Sequence, residues 1–325
     1  MDLQHSPEFS FRLPSVHDNC QLECRLYLPR QLQNIESSTL GTTSIRGAIL
    51  AHPYAPLGGC FDDPVVGFVG GELLQAGYIV GTFNFRGAGN SEGRTSWTGK
   101  PELGDYVSMY GFMLRYLQDL QSVLGAQQRS PSSEAAHLVI GGYSFGSLIA
   151  SHVPTLDAML DLFCNEPAPP STPIYEICSA ARKIAAQSTW QLLPAKENQD
   201  EQGDQPALHS APTISYLLVS PLLPPVSQLL TAFSALSVNV GGKTSAQARS
   251  AGRPADQLSA HRTLALFGDQ DSFTSARKLQ RWSAEMGRMP QSQFQGCKIE
   301  GAGHFWREDG VETRARRTLH EWLRS

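Results

Sequence analysis

The sequence predicts an α/β fold, an open and mostly parallel sheet with helices on both faces, and three observations carry that prediction. Short apolar runs such as GAILAH, ending at His52, and HLVIGGY, ending at Tyr143, read as strands buried in a sheet. Stretches of helical period alternate with those runs, which is the rhythm of parallel strands linked by crossover helices. A chain of 325 residues with 41% hydrophobic content can bury one large core, so residues 1–325 are expected to form a single domain.

Taken in order, the chain opens with two alternating runs, FSFRLPSV and CQLECRLYLP, which read as antiparallel strands. GAILAH marks entry into the buried sheet. The helical stretch VVGFVGGELLQAGY follows, then strand YIVGTFNF, a glycine-rich loop and a helical pattern through GFMLRYLQDLQSVLG. Strand HLVIGGY then runs straight into the apolar helix SFGSLIASHV. After Pro154 the rhythm breaks, and residues 155–212 are expected to be an insertion and a candidate lid. Within it LDAMLDLF and IYEICSAARKIAAQ have amphipathic helical patterns, while the acidic run KENQDEQGDQ reads as a mobile, disordered loop. Sheet rhythm resumes with ISYLLVS, a helix beginning near Pro225 and a Gly/Ser/Ala-rich loop over about residues 238–258. Strand RTLALFG, helix SARKLQRWSAEMG, strand QFQGCKIEG and a final helix complete the pattern, and no internal repeat is visible.

Charge and composition narrow the function. A formal charge of −4 gives no basic stripe for a polyanion, so no nucleic-acid partner is expected. The start MDLQHSPEFSF lacks the cationic and apolar regions of a leader, and no run approaches the ~20 apolar residues that span a bilayer. The expectation is a soluble, cytoplasmic protein without a membrane partner. Six cysteines, at positions 20, 24, 60, 164, 178 and 297, form no C-x-x-C pair and no dense framework, which fits reduced thiols. Cys20 and Cys24 read as half-buried, apolar-like side chains rather than metal ligands, and no metal is expected.

The pattern G-x-S-x-G occurs twice, around Ser144 and around Ser91. Ser144 follows the apolar strand LVIGG and precedes the apolar helix SLIASHV, the strand-turn-helix setting in which a sharp elbow lifts a hydroxyl out of a sheet. Flanking glycines permit the strained turn. The backbone N–H of Phe145, at the start of that helix, would then face a developing oxyanion. Ser91 lies in the polar stretch RGAGNSEGRTSWTGK, with no apolar helix after it, and is read as incidental.

A serine hydroxyl needs an imidazole within hydrogen-bond reach, itself oriented by a carboxylate. His304 in EGAGHFW directly follows the apolar end of strand QFQGCKIEG, so small residues are expected to deliver it at the carboxyl end of the sheet, where chemistry gathers in open α/β folds. The acid is Asp271 or Asp269 in LALFGDQDSF. Asp271 is favoured, because the turn at Gly268 lets the chain swing before presenting a carboxylate, while Asp269 suits capping or turn bonding. His137, His152 and His320 lack such context and read as structural or surface residues. In AHPYAPLGG the loop after a buried strand is placed to offer a second oxyanion donor, assigned to the N–H of Tyr54, with His52 orienting the loop. HPYAPLGG read only as a turn is the alternative.

These residues resemble the α/β-hydrolase superfamily, and more narrowly a group of soluble hydrolases with an H-P-x-x-x-x-G-G loop, here His52 to Gly59, and an F-R-G-x-G-x-S-x-G loop, here Phe85 to Gly93. The resemblance covers the strand order of nearly the whole chain, and the order Ser144, Asp271, His304 is the superfamily's chain order. In such relatives a glutamate and an aspartate follow the arginine-glycine loop, matched by Glu102 and Asp105 in KPELGDY. The resemblance implies that Arg86 pairs with one of them and braces the loop. It also implies a lid for material inserted after the nucleophile helix, although the segment after Pro154 is longer than in compact members. No cofactor is implied.

The leading functional reading is a serine hydrolase acting on an ester, thioester or amide of a small-molecule acyl substrate through an acyl-enzyme. The same residues serve acyl transfer, cyclisation or C–C cleavage, and a catalytically silent binding protein is a third reading. Oligomeric state is not legible.

Overall fold

The computed structural model describes residue 3 and residues 6–33, 45–126, 135–165, 168–192, 211–231 and 253–325. The strands are β1 (Phe9–Pro14), β2 (Gln21–Tyr27), β3 (Arg46–Ala51), β4 (Ile79–Phe83), β5 (His137–Tyr143), β6 (Thr213–Val219), β7 (Thr263–Gln270) and β8 (Phe294–Gly303). They form one sheet in the order β1-β2-β4-β3-β5-β6-β7-β8. β1 and β2 pair antiparallel, as does β2 with β4, and every later pair is parallel. Alternating burial in β2 and full burial in β4 follow from that placement: one lies near an edge, the other inside the sheet.

The helices are α1 (Arg30–Gln33), α2 (Pro64–Gln75), α3 (Lys100–Ala126), α4 (Phe145–Ala150), α5 (Leu156–Leu160), α6 (Pro173–Leu192), α7 (Val226–Leu230), α8 (Pro254–Ala260), α9 (Ala276–Gly287) and α10 (Val311–Arg324). Two cores result, one on each face of the sheet. Side chains of α2 and α10 pack on one face with Val80, Val139 and Leu266, while those of α3, α4, α5 and α6 pack on the other with Ile49, Phe83 and Ile140. The chain leaves β3 toward β4 on one side and returns to β5 on the other. That reversal makes the carboxyl ends of β3 and β5 a topological switch point, the place where open sheets bind ligands.

Two sequence expectations change. The third helix starts at Lys100 rather than near Gly111, because glycines that look like breakers serve close packing: a Cβ at Gly104 would strike His17, and one at Gly111 the ring of Phe163. Residues 254–258, expected as the end of a loop, fall in α8. Pro254 stands at its first position, Asp256 in its first turn, and Gln257 ties it to Tyr216 and to the Val153 carbonyl.

After α4 the chain forms α5, a π-helical turn Asp161–Asn165 and α6, where the amphipathic patterns LDAMLDLF and IYEICSAARKIAAQ lie. These lie along α3, where the Tyr116 hydroxyl donates to Ser188 Oγ at 2.9 Å. The acidic run at 196–205 and residues 238–252 of the Gly/Ser/Ala-rich stretch lie outside the described residues. No described helix is long and apolar enough to cross a membrane.

Candidate active site

Ser144 occupies the turn between β5 and α4 with φ 54° and ψ −114°, a conformation that costs a residue with a Cβ. Its neighbours explain the two glycines of the motif. A Cβ at Gly142 would collide with the backbone of Gly146, and one at Gly146 with the Ala51 carbonyl. The turn is held by the Ser144 N–H donating to the Val219 carbonyl (2.8 Å) and by Ser147 Oγ donating to the Ser144 carbonyl (2.7 Å).

Ser144, His304 and Asp271 meet in a line. Ser144 Oγ lies 2.8 Å from His304 Nε2, and His304 Nδ1 lies 2.7 Å from Asp271 Oδ2. A carboxylate at Nδ1 fixes the proton there, so Nε2 is the acceptor of the serine hydroxyl. The other carboxylate oxygen, Asp271 Oδ1, accepts the N–H groups of Phe273 (2.8 Å) and Thr274 (3.0 Å). Burial pushes the Asp271 pKa up, but the His304 bond and charge and these two N–H groups outweigh it and hold it below the ordinary carboxylate value. Asp269 points elsewhere, and its Oδ1 accepts the Gly301 N–H at 2.7 Å, pinning β7 to β8. Serine and imidazole are only 5% and 3% exposed, and the His304 carbonyl accepts the Tyr143 hydroxyl at 2.8 Å.

The remaining residues named from the sequence surround this line. Tyr54 precedes a short 3-10 turn, Ala55–Leu57, and its ring meets that of Phe145 edge to face at 5.2 Å. Among the described residues neither the Tyr54 N–H nor the Phe145 N–H donates to a protein acceptor. His52 donates from Nδ1 to the Pro53 carbonyl (2.6 Å) and accepts the Phe85 N–H at Nε2 (2.9 Å), so its ring is neutral. Burial pushes its pKa down to about 4. Arg86 makes a two-pronged ion pair with Asp105, Nη2 to Oδ1 at 2.6 Å and Nε to Oδ2 at 3.0 Å, so Asp105 rather than Glu102 is its partner. Glu102 instead accepts the N–H and hydroxyl of Ser96.

Ser91 Oγ donates to the Asn84 carbonyl and accepts the Glu23 N–H, which makes it a strut between the glycine-rich loop and β2. His137 bonds Thr213 and Ser215, and His152 bonds the Leu148 carbonyl and Ser151, so neither bonds Ser144. Sequence reading missed Asp18, whose carboxylate takes the outer side of the Arg86 guanidinium; nothing local signals a pairing 68 positions apart. It also missed the rings flanking His304, Phe273 at 4.2 Å and Phe305 at 5.5 Å between centroids, although the aromatic pair directly after His304 was a visible signal. Among the described residues no group of three His, Cys, Asp or Glu side chains is arranged to hold a metal ion.

The architecture is the α/β-hydrolase fold. One similar solved structure is an α/β serine hydrolase without a lid from Xanthomonas campestris, with a TM-score of 0.50, 16% identity, and coverage of 99% of this chain and 96% of that one. Another is a protein of unknown function from Agrobacterium tumefaciens grouped with the α/β hydrolases, with a TM-score of 0.50, 17% identity, and coverage of 98% and 95%. No family model matches the chain, and no curated protein matches it.

Proposed function

We propose that the protein is a serine hydrolase that cleaves an ester, thioester or amide of a small molecule through an acyl-enzyme. The hydrogen-bonded line from Ser144 through His304 to Asp271, at 2.8 and 2.7 Å, is the observation that carries this reading. His304 Nε2 takes the Ser144 proton as Oγ attacks the acyl carbon, and Asp271 stabilises the imidazolium that forms. The backbone N–H groups of Tyr54 and Phe145 hold the oxyanion. His304 then gives its proton to the departing group, and a water activated by the same nitrogen releases the acid. No cofactor enters this scheme.

The whole chain, 1–325, acts as one domain in this proposal. Residues 155–212 are kept as the candidate lid, with α5 and α6 anchored along α3. His52 and Arg86 act indirectly, by fixing the loops after β3 and β4. Acyl transfer, cyclisation and C–C cleavage share the first half of the scheme, and incorporation of labelled oxygen from water into the acid product distinguishes hydrolysis from them. The decisive test is phosphonylation by a fluorophosphonate together with hydrolysis of p-nitrophenyl butyrate. Both are expected in the wild type and absent in Ser144→Ala; equal labelling of the variant would overturn the proposal, and a protein that never labels would favour the silent binding protein.

A further inference from the structure

His304 stands in a triangle of aromatic rings. Phe273 lies 4.2 Å from the imidazole, Phe305 lies 5.5 Å from it at 89°, and the two phenyl rings meet each other edge to face at 5.9 Å. The next residue, Trp306, turns inward, is 5% exposed and donates to Ser220 Oγ. Phe305 turns outward and is 49% exposed. The Arg307 guanidinium stands 5.5 Å over its ring, a cation–π contact that restrains it. Half of the Phe305 ring is in water beside the imidazole, so a ligand that covers it there removes apolar surface from water.

The chemistry says which part of a ligand that is. When the bond from Ser144 Oγ to the acyl carbon has formed, the carbon–oxygen bond of the ester breaks and the departing oxygen takes the proton from His304 Nε2. The alcohol half of the ester therefore stands beside the imidazole, and of the rings packed on that imidazole, Tyr143, Phe273 and Phe305, only Phe305 is exposed. Resting on the hydrolase reading above, we infer that Phe305, backed by Phe273, is the leaving-group subsite and selects esters whose alcohol half is an apolar ring.

The test compares benzyl butyrate with ethyl butyrate on the full chain. Both pass through the same butyryl-enzyme, so a difference in kcat/KM belongs to acylation and to the leaving group. The wild type is expected to favour the benzyl ester. Phe305→Ala lowers the benzyl-to-ethyl ratio about five- to tenfold, the loss of one aromatic contact, and Phe305→Tyr retains it. Phe305 is half-exposed and outside both hydrophobic cores, so neither change threatens folding. An unchanged ratio in Phe305→Ala overturns the inference alone, as does a wild type that is phosphonylated at Ser144 yet leaves the benzyl ester uncut. A wild type that neither labels nor cleaves overturns the hydrolase reading and this inference together.

Discussion

The neutral imidazole of His52 accepts the Phe85 N–H at 2.9 Å and so joins the loop that carries Tyr54 to the loop that carries Arg86. Only the unprotonated ring has that lone pair, and burial holds its pKa at about 4. In the unfolded chain the same group titrates near 6.5. Between those values the unfolded state binds the extra proton, so the folded state loses stability as pH falls through this window, by about 3 kcal/mol in all. His52→Gln keeps an amide oxygen for Phe85 and removes the titration. Urea unfolding from pH 7 to pH 4 should therefore give a plot of stability against pH that is less steep for the variant by about one proton. His137, also held at about 4 by burial, contributes alike to both proteins and cancels. Parallel plots would contradict the assignment.

In the proposed hydrolase, Ser144 sets stability against chemistry. Its backbone, at φ 54°, is strained by about 1–3 kcal/mol for any residue with a Cβ. Glycine removes that strain but gains about 0.4–1 kcal/mol of freedom in the unfolded chain. Ser144→Gly is thus expected to be more stable than Ser144→Ala, by about 1 kcal/mol, while both lose turnover by orders of magnitude. Chemical denaturation of the two variants checks the order, and a less stable glycine variant would show that the turn is not strained.

Much of this arrangement is legible in the sequence where a residue's role is local. Ser144 is recognisable because the elbow needs a strand before it, a helix after it and glycines on both sides, all within a few positions. Asp271 is legible because it follows the apolar run TLALFG, and His304 because it follows the strand pattern QFQGCKIEG, and a strand's end marks the edge of a sheet. Phe305 was in plain view but carried no period or motif to say that it faces outward. Asp18 was illegible, since its partner is fixed by how β1 and β2 fold back on the loop at Arg86. The start of α3 was obscured because Gly104 and Gly111 look like breakers until His17 and Phe163 are seen against them.

Asp271 and Asp269 differ by two positions and should differ widely in effect. Asp271→Asn leaves a hydrogen-bonding group at His304 Nδ1 but stabilises the wrong tautomer, and kcat is expected to fall about 10²- to 10⁴-fold. Asp269→Asn disturbs only the bond to the Gly301 N–H, so turnover should stay within about tenfold of wild type. The reverse order in steady-state kinetics would exchange the two assignments. The depressed pKa of Asp271 adds a pH signature. Its stabilisation is complete above the ordinary carboxylate value and is lost as pH falls through the lower folded one, a loss that Asp271→Asn removes.

The pair of Arg86 and Asp105 is the deepest charge contact in the loop framework, with the aspartate fully buried and the arginine nearly so. Removing one partner leaves a buried charge, which costs about 3–5 kcal/mol in typical cases. Asp105→Leu is therefore expected to destabilise strongly, since Asp18, half-exposed, neutralises only the outer edge of the guanidinium. The double variant Arg86→Met, Asp105→Leu buries no charge, and Asp18 is then free to face water. It should be more stable than either single variant despite carrying two substitutions, which is the non-additivity that two contacting residues require. A cycle of the four proteins measured by urea unfolding decides the matter. If the two losses simply add, the contact contributes no coupling, and Arg86 holds the loop through its backbone bond to Asp105 instead.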